Sequence, residues 1–206
     1  MGVVKLSQSG LRNFAKYSSM LAGNGAFSPS SYDLLTTTTL TSSAASVTFS
    51  GLGAYSGYKH LQLRMITAST RDGGMSSYNM RFNSDSGANY SRHALNAGFF
   101  PANSGVTSNG QTAQTGIASS TWARDYSNHF WPAIWDILDF SSTNKNTTVK
   151  SLDGSYGRNN FNHSPEGLIR LTSGAWYNTS AVTSISLVAT SDAFEIGSRF
   201  SLIGLK

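Results

Sequence analysis

The chain has 206 residues, of which 39% are hydrophobic, 12% aromatic and only 12% charged, with a formal net charge of +5. Its 35 Ser, 19 Thr, 15 Asn and 20 Gly make it polar but uncharged; this is neither the charged, aromatic-poor composition of disorder nor the Ala/Glu/Lys/Leu-rich composition of long helices. The absence of cysteine excludes a disulfide framework, a thiolate metal site and a Cys nucleophile.

Residues 1–10 lack the apolar segment of a secretory leader, and Leu6 stands where a myristoylation signal has Ser or Thr. No apolar stretch approaches the roughly 20 residues of a membrane span, so no membrane partner is expected. A helix is expected between a Ser9 cap and Gly23. Leu11, Phe14 and Leu21 fall on one face at helical spacing, with Arg12 and Lys16 together on the other side. These five residues are the candidates for an amphipathic anchor that docks on another protein. Residues 24–31, with Gly25 and Pro29, read as a hinge. The expected organisation is an anchor segment over 1–31 and a β-domain over 32–206.

From Tyr32 onward the helical period disappears. Short β-type runs are expected at 32–40, 45–49, 60–67, 78–82 and 90–95, the last two joined by a turn over 83–87 as a hairpin. Residues 101–110 read as a polar loop. Further strands are expected at 114–121, 130–140, 146–152, 168–177, 184–190 and 199–205. Such regular short strands predict an all-β fold, an antiparallel β-sandwich of jelly-roll type preceded by the short N-terminal amphipathic helix. The run 130–140 is apolar on both parities. Phe130, Ile134, Leu138 and Phe140 are assigned to the sandwich core. Trp131, Trp135 and Ile137, on the other side, are assigned to a subunit interface, because two indoles left in water would form an interaction patch.

The inventory of reactive groups is thin. His60, His93, His129 and His163 show no metal-site spacing. The string 53–57 resembles a nucleophile elbow but has its serine misplaced, and neither a P-loop nor a dinucleotide fingerprint occurs. Asn83, Asp85 and Asn89 read as a turn rather than a calcium loop. No catalytic, cofactor-binding or metal residue is assigned, and the chain is expected to be neither an enzyme nor a cofactor carrier. The scattered Lys and Arg residues give no basic cluster, so no nucleic-acid partner is expected. Tyr156, Arg158 and Asn160 lie in a Gly- and Asn-rich stretch that reads as a presented loop, a candidate for binding a host surface glycan.

Several strings carry a resemblance. They are Ser9-Gly10-Leu11, the stretch from Tyr17 to Asn24, Tyr32-Asp33-Leu34-Leu35, Ser46-Val47-Thr48-Phe49-Ser50, Tyr58-Lys59-His60-Leu61-Gln62-Leu63 and Ile137-Leu138-Asp139-Phe140-Ser141. The C-terminal string Arg199-Phe200-Ser201-Leu202-Ile203-Gly204-Leu205 is similar to an aromatic-Ser-Leu-Tyr-Gly ending, with Ile203 in place of the Tyr. Together they resemble small β-rich virion structural proteins of tailed phages, especially marine cyanophages, with the middle, about 87–121, individual to this chain. The resemblance implies a β-sandwich virion component, commonly a homo-oligomer and often a trimer, without catalytic residues. The expected role is a tail-fibre or tail-appendage protein joined to other virion proteins by its N-terminal segment. The alternatives are a capsid decoration protein (cement or head-fibre) and, in a different class, a carbohydrate-binding β-sandwich module.

Overall fold

Alternation organises the chain. In His60–Ser69 the side chains of Leu61, Leu63 and Met65 are buried while Arg64 and Ile66 are exposed; in Ser46–Ser50 Val47 and Phe49 are buried between exposed Ser and Thr. Such a period of two places one parity of each strand against a core. The computed structural model describes residues 32–71, 75–98, 106–123, 130–158 and 165–206. The predicted N-terminal helix and its hinge lie outside these.

The strands are β1 (Tyr32–Thr39), β2 (Ser46–Ser50), β3 (His60–Ser69), β4 (Met75–Phe82), β5 (Tyr90–Gly98) and β6 (Val106–Gln114). They continue with β7 (Ile117–Ala123), β8 (Trp131–Leu138), β9 (Thr147–Arg158), β10 (Pro165–Trp176), β11 (Ser184–Ala189) and β12 (Arg199–Leu205). The fold is all-β; among the described residues the only helical element is a single 3-10 turn at Leu52–Tyr55. The larger sheet has the order β1-β12-β3-β8-β9-β10-β5-β6 and the smaller one β2-β11-β4-β7. Neighbours within each sheet are antiparallel. The sheets join where the end of β3 runs parallel to β7, Ala68 opposite Trp122 and Ser69 opposite Ala123.

The core draws on both sheets. Phe49, Met80, Phe82, Ile117, Ile185 and Leu187 from the smaller meet Leu61, Leu63, Trp135, Ile137, Val149 and Leu202 from the larger. Tyr78 lies 6.4 Å from the Trp135 ring and 5.7 Å from Phe194.

Three expectations change. The polar stretch predicted as a loop over 101–110 supplies the start of β6, held by backbone pairing to β5. The strand predicted to end at 152 continues to Arg158, so that Tyr156 and Arg158 lie in β9 rather than in a loop. The turn after β4 does not close a hairpin. Asn83 and Ser84 have φ of 51° and 60°, and they carry the chain from the smaller sheet, where β4 pairs β7 and β11, into the larger, where β5 pairs β6 and β10.

Candidate functional site

The anchor candidates Leu11, Arg12, Phe14, Lys16 and Leu21 lie outside the described residues, as does Asn160. Tyr156 and Arg158 are placed only as members of β9. The interface candidates are fully placed, and along β8 their placement reverses the expected parity, although Phe140, beyond the left-handed Asp139 (φ 48°), is buried in the core as expected. Trp131, Trp135 and Ile137 point inward and are at most 1% exposed, whereas Ile134, assigned to the core, is 40% exposed. The side of β8 that carries these three residues is the one facing the smaller sheet, so they are core, while the Ile134 side forms part of the outer face. Register explains it: Trp135 stands opposite Leu63, and Ile137 opposite Leu61 and Val149, all buried.

The two carboxylates of the 130–140 segment, Asp136 and Asp139, are both held by side-chain donors. Asp136 accepts from Gln62 Nε2 at 2.8 Å. Asp139 accepts from Lys145 Nζ, which holds its carboxyl below the usual range. His60 Nδ1 accepts the Asp139 N–H at 2.9 Å. Asp85 is occupied by donors of its own turn and of β10, with Trp176 Nε1 at 2.7 Å, Gly87 N–H at 2.8 Å and Asn89 Nδ2 at 2.9 Å. Its lone pairs serve the turn, and these bonds, Trp176 first, hold its pKa down.

The most polar constellation lies between the sheets, and alternation gave no hint of it. On β9 and β10 the inward row runs Ser151, Asp153, Arg170 and Thr172, with Asp153 directly opposite Arg170 and Ser151 opposite Thr172. Asp153 Oδ2 accepts from Trp131 Nε1 at 3.2 Å and from Ser119 Oγ at 3.3 Å. Arg170 Nε donates to Asn96 Oδ1 at 2.8 Å, and Trp135 Nε1 to the Tyr78 hydroxyl at 3.3 Å. Arg92, half-buried beside them, donates from Nη1 to the Ala118 carbonyl at 3.2 Å. Burial raises the Asp153 pKa, against the opposing pull of the Arg170 charge and the Trp131 and Ser119 bonds. The network ties β5, β8, β9 and β10 of one sheet to β4 and β7 of the other. Buried networks of this kind rigidify the contact between the elements they join, and here, among the described residues, Arg92 Nε, Ser151 Oγ, Asp153 Oδ1 and Thr172 Oγ1 make no hydrogen bond.

The outer faces differ sharply from each other. The smaller sheet presents Ser46, Thr48, Ser50, Ser77, Asn79, Arg81, Ser184 and Ser186 together with the half-buried Val188 and Ala118, and Thr48 and Ser186 are hydrogen-bonded across strands at 2.9 Å. The larger sheet presents aliphatics. One row crosses five strands in register: Arg64, Ile134, Leu152, Leu171 and Leu95. Beside it Ile66 stands opposite Pro132, and Ile169 opposite Ala97. Ile169 is 63% exposed, Leu152 54%, Leu171 51%, Ile66 50% and Leu95 40%. Gly154, opposite Ile169, keeps β9 and β10 close, since a Cβ there would come 2.4 Å from the Leu168 carbonyl oxygen. Next to the aliphatic row lies a depression of about 600 Å³ with short side chains, Ser91, Ser173 and Ala175, between Lys150 and His93.

No protein-family model matches the chain, and no curated protein sequence matches it.

Proposed function

We propose that this chain is a non-enzymatic structural component of a tailed-phage virion, a tail-fibre or tail-appendage protein that assembles as a homo-oligomer, with three copies expected, and joins other virion proteins through residues 1–31. The fold reading is an antiparallel β-sandwich of jelly-roll type. Strand order supports it: β2-β11-β4-β7 facing β3-β8 and β5-β6 is the order in which a jelly roll winds its strands. In that reading β9 and β10 are a hairpin inserted into the larger sheet, and β1 and β12 extend its other edge.

The observation that carries the function is the asymmetry of the two outer faces. A sheet face that meets only water is dressed with Ser, Thr and Asn, as the smaller sheet is. A face that displays in-register Ile and Leu across four strands, β8, β9, β10 and β5, is built for contact with another surface. The inserted β9–β10 hairpin supplies Leu152, Ile169 and Leu171, the three most exposed aliphatic side chains of this band. The experiment is immunogold labelling of purified virions with antibody to the recombinant protein. Label on the tail or its appendages is the expected result, label on the head shell would make it a capsid decoration protein, and absence of label would refute the virion assignment.

A further inference from the structure

We infer that the outer face of the larger sheet is occupied by a second copy of this chain, with the aliphatic ridge of Leu152, Ile169 and Leu171 seated in the neighbour's depression over Ser91, Ser173 and Ala175. The inference rests on the structural reading above and names the partner of that same face.

Three observations select a second copy. The first is shape. Ridge and depression lie side by side on one face: Leu171 is two residues from Ser173 on β10, and Leu95 is two from His93 on β5. The short side chains leave room for several aliphatic ones, so each copy offers both halves of the contact, as a contact between identical subunits requires. The second is area. The exposed fractions of Ile66, Leu95, Ile134, Leu152, Ile169 and Leu171 add up to about three fully exposed residues, or about 500 Å² of apolar surface. That lies near the top of the roughly 300–600 Å² found for the largest patch on a monomer. With its rim it approaches the roughly 800 Å² per partner of a stable interface. The third is anatomy. The apolar centre is bordered by Arg64, Gln62, Asp136, Lys150 and His93, the polar rim of a protein interface. In-register aliphatic rows are also what two sheets use when they stack about 10 Å apart.

The test uses the full chain in light scattering after gel filtration. Wild type should have a mass at least twice the 22.0 kDa of one chain. Leu171→Lys should shift it to 22.0 kDa, weakening association roughly 30-fold or more, with circular dichroism and melting unchanged. Thr48→Lys on the other outer face should remain assembled. Should Leu171→Lys fail to fold, cysteine labelling replaces it. The chain has no cysteine, so Ser173→Cys carries a single thiol, which should react slowly in the oligomer and rapidly on dilution, while Thr48→Cys reacts rapidly in both. An oligomer that Leu171→Lys leaves intact would overturn the inference. So would a monomeric wild type, whether its Ser173→Cys thiol is open or is shielded by its own chain. A monomer that is nonetheless found in virions overturns self-association and leaves the virion reading standing; an oligomer absent from virions does the reverse.

Discussion

Trp135→Ser is the sharpest test of the parity of β8. The indole has no exposed surface and sits between the sheets, its ring 6.4 Å from Tyr78 and its Nε1 donating to the Tyr78 hydroxyl at 3.3 Å. Truncating a buried Trp to a small side chain costs about 3–5 kcal/mol through lost transfer energy and the cavity left behind. Losing the hydrogen bond to the Tyr78 hydroxyl adds about 1 kcal/mol. Against a total stability of about 5–15 kcal/mol, the variant should lose a large share of its folding free energy. The neighbouring Ile134→Ser, on the opposite face and already 40% exposed, should cost only about 1 kcal/mol. Urea unfolding of both variants, followed by tryptophan fluorescence in dilute solution, compares them directly. Should Trp135→Ser retain the wild-type midpoint while Ile134→Ser collapses, the strand faces the other way and the core assignment is wrong.

Gly154→Ala should destabilise the fold by several kcal/mol, because the added Cβ meets the backbone of β10 at 2.4 and 2.9 Å, atoms that no side-chain rotation can move; its melting curve against wild type checks this. Arg170→Leu should cost about 3–5 kcal/mol by leaving the buried Asp153 without its opposing charge, and adding Asp153→Leu should recover part of that loss, read as non-additivity in a double-mutant cycle by urea titration. Acid should weaken the fold modestly through Asp85, Asp139 and Asp192, solvent-accessible carboxyls held below their ordinary range by hydrogen bonds from Trp176, Lys145 and Ser76 respectively. Because their folded values are depressed, their stabilisation is present above the unfolded value of about 3.9 and is lost as pH falls through the folded values; the unfolding midpoint should drop below about pH 4, and Asp85→Asn should make that drop shallower.

Sequence alone located strands where only one parity is apolar. Leu61, Leu63 and Met65 of β3, Val47 and Phe49 of β2, and Ile185 and Leu187 of β11 are buried as their alternation requires. Alternation is silent for β8, where both parities are apolar; the deciding information is the pairing of Trp135 with Leu63, which joins residues far apart in the chain. It is misleading on β9 and β10. There the predicted strand ends at 152, yet β9 continues to Arg158 and Asp153 faces inward, directly opposite Arg170 on the neighbouring strand. In residues 168–172, Leu-Ile-Arg-Leu-Thr, the buried parity includes Arg170 and Thr172 and the exposed parity carries Ile169 and Leu171. A monomer gains nothing by burying a guanidinium and showing two aliphatics to water on the same strand. Inside, Arg170 has Asp153 opposite it and donates to Asn96 Oδ1 and Ser119 Oγ; outside, the self-association proposed above would cover the apolar parity. The inversion of polarity along β10, a strand that hides its charge while displaying its leucine and isoleucine, is the observation on which the proposed self-association rests.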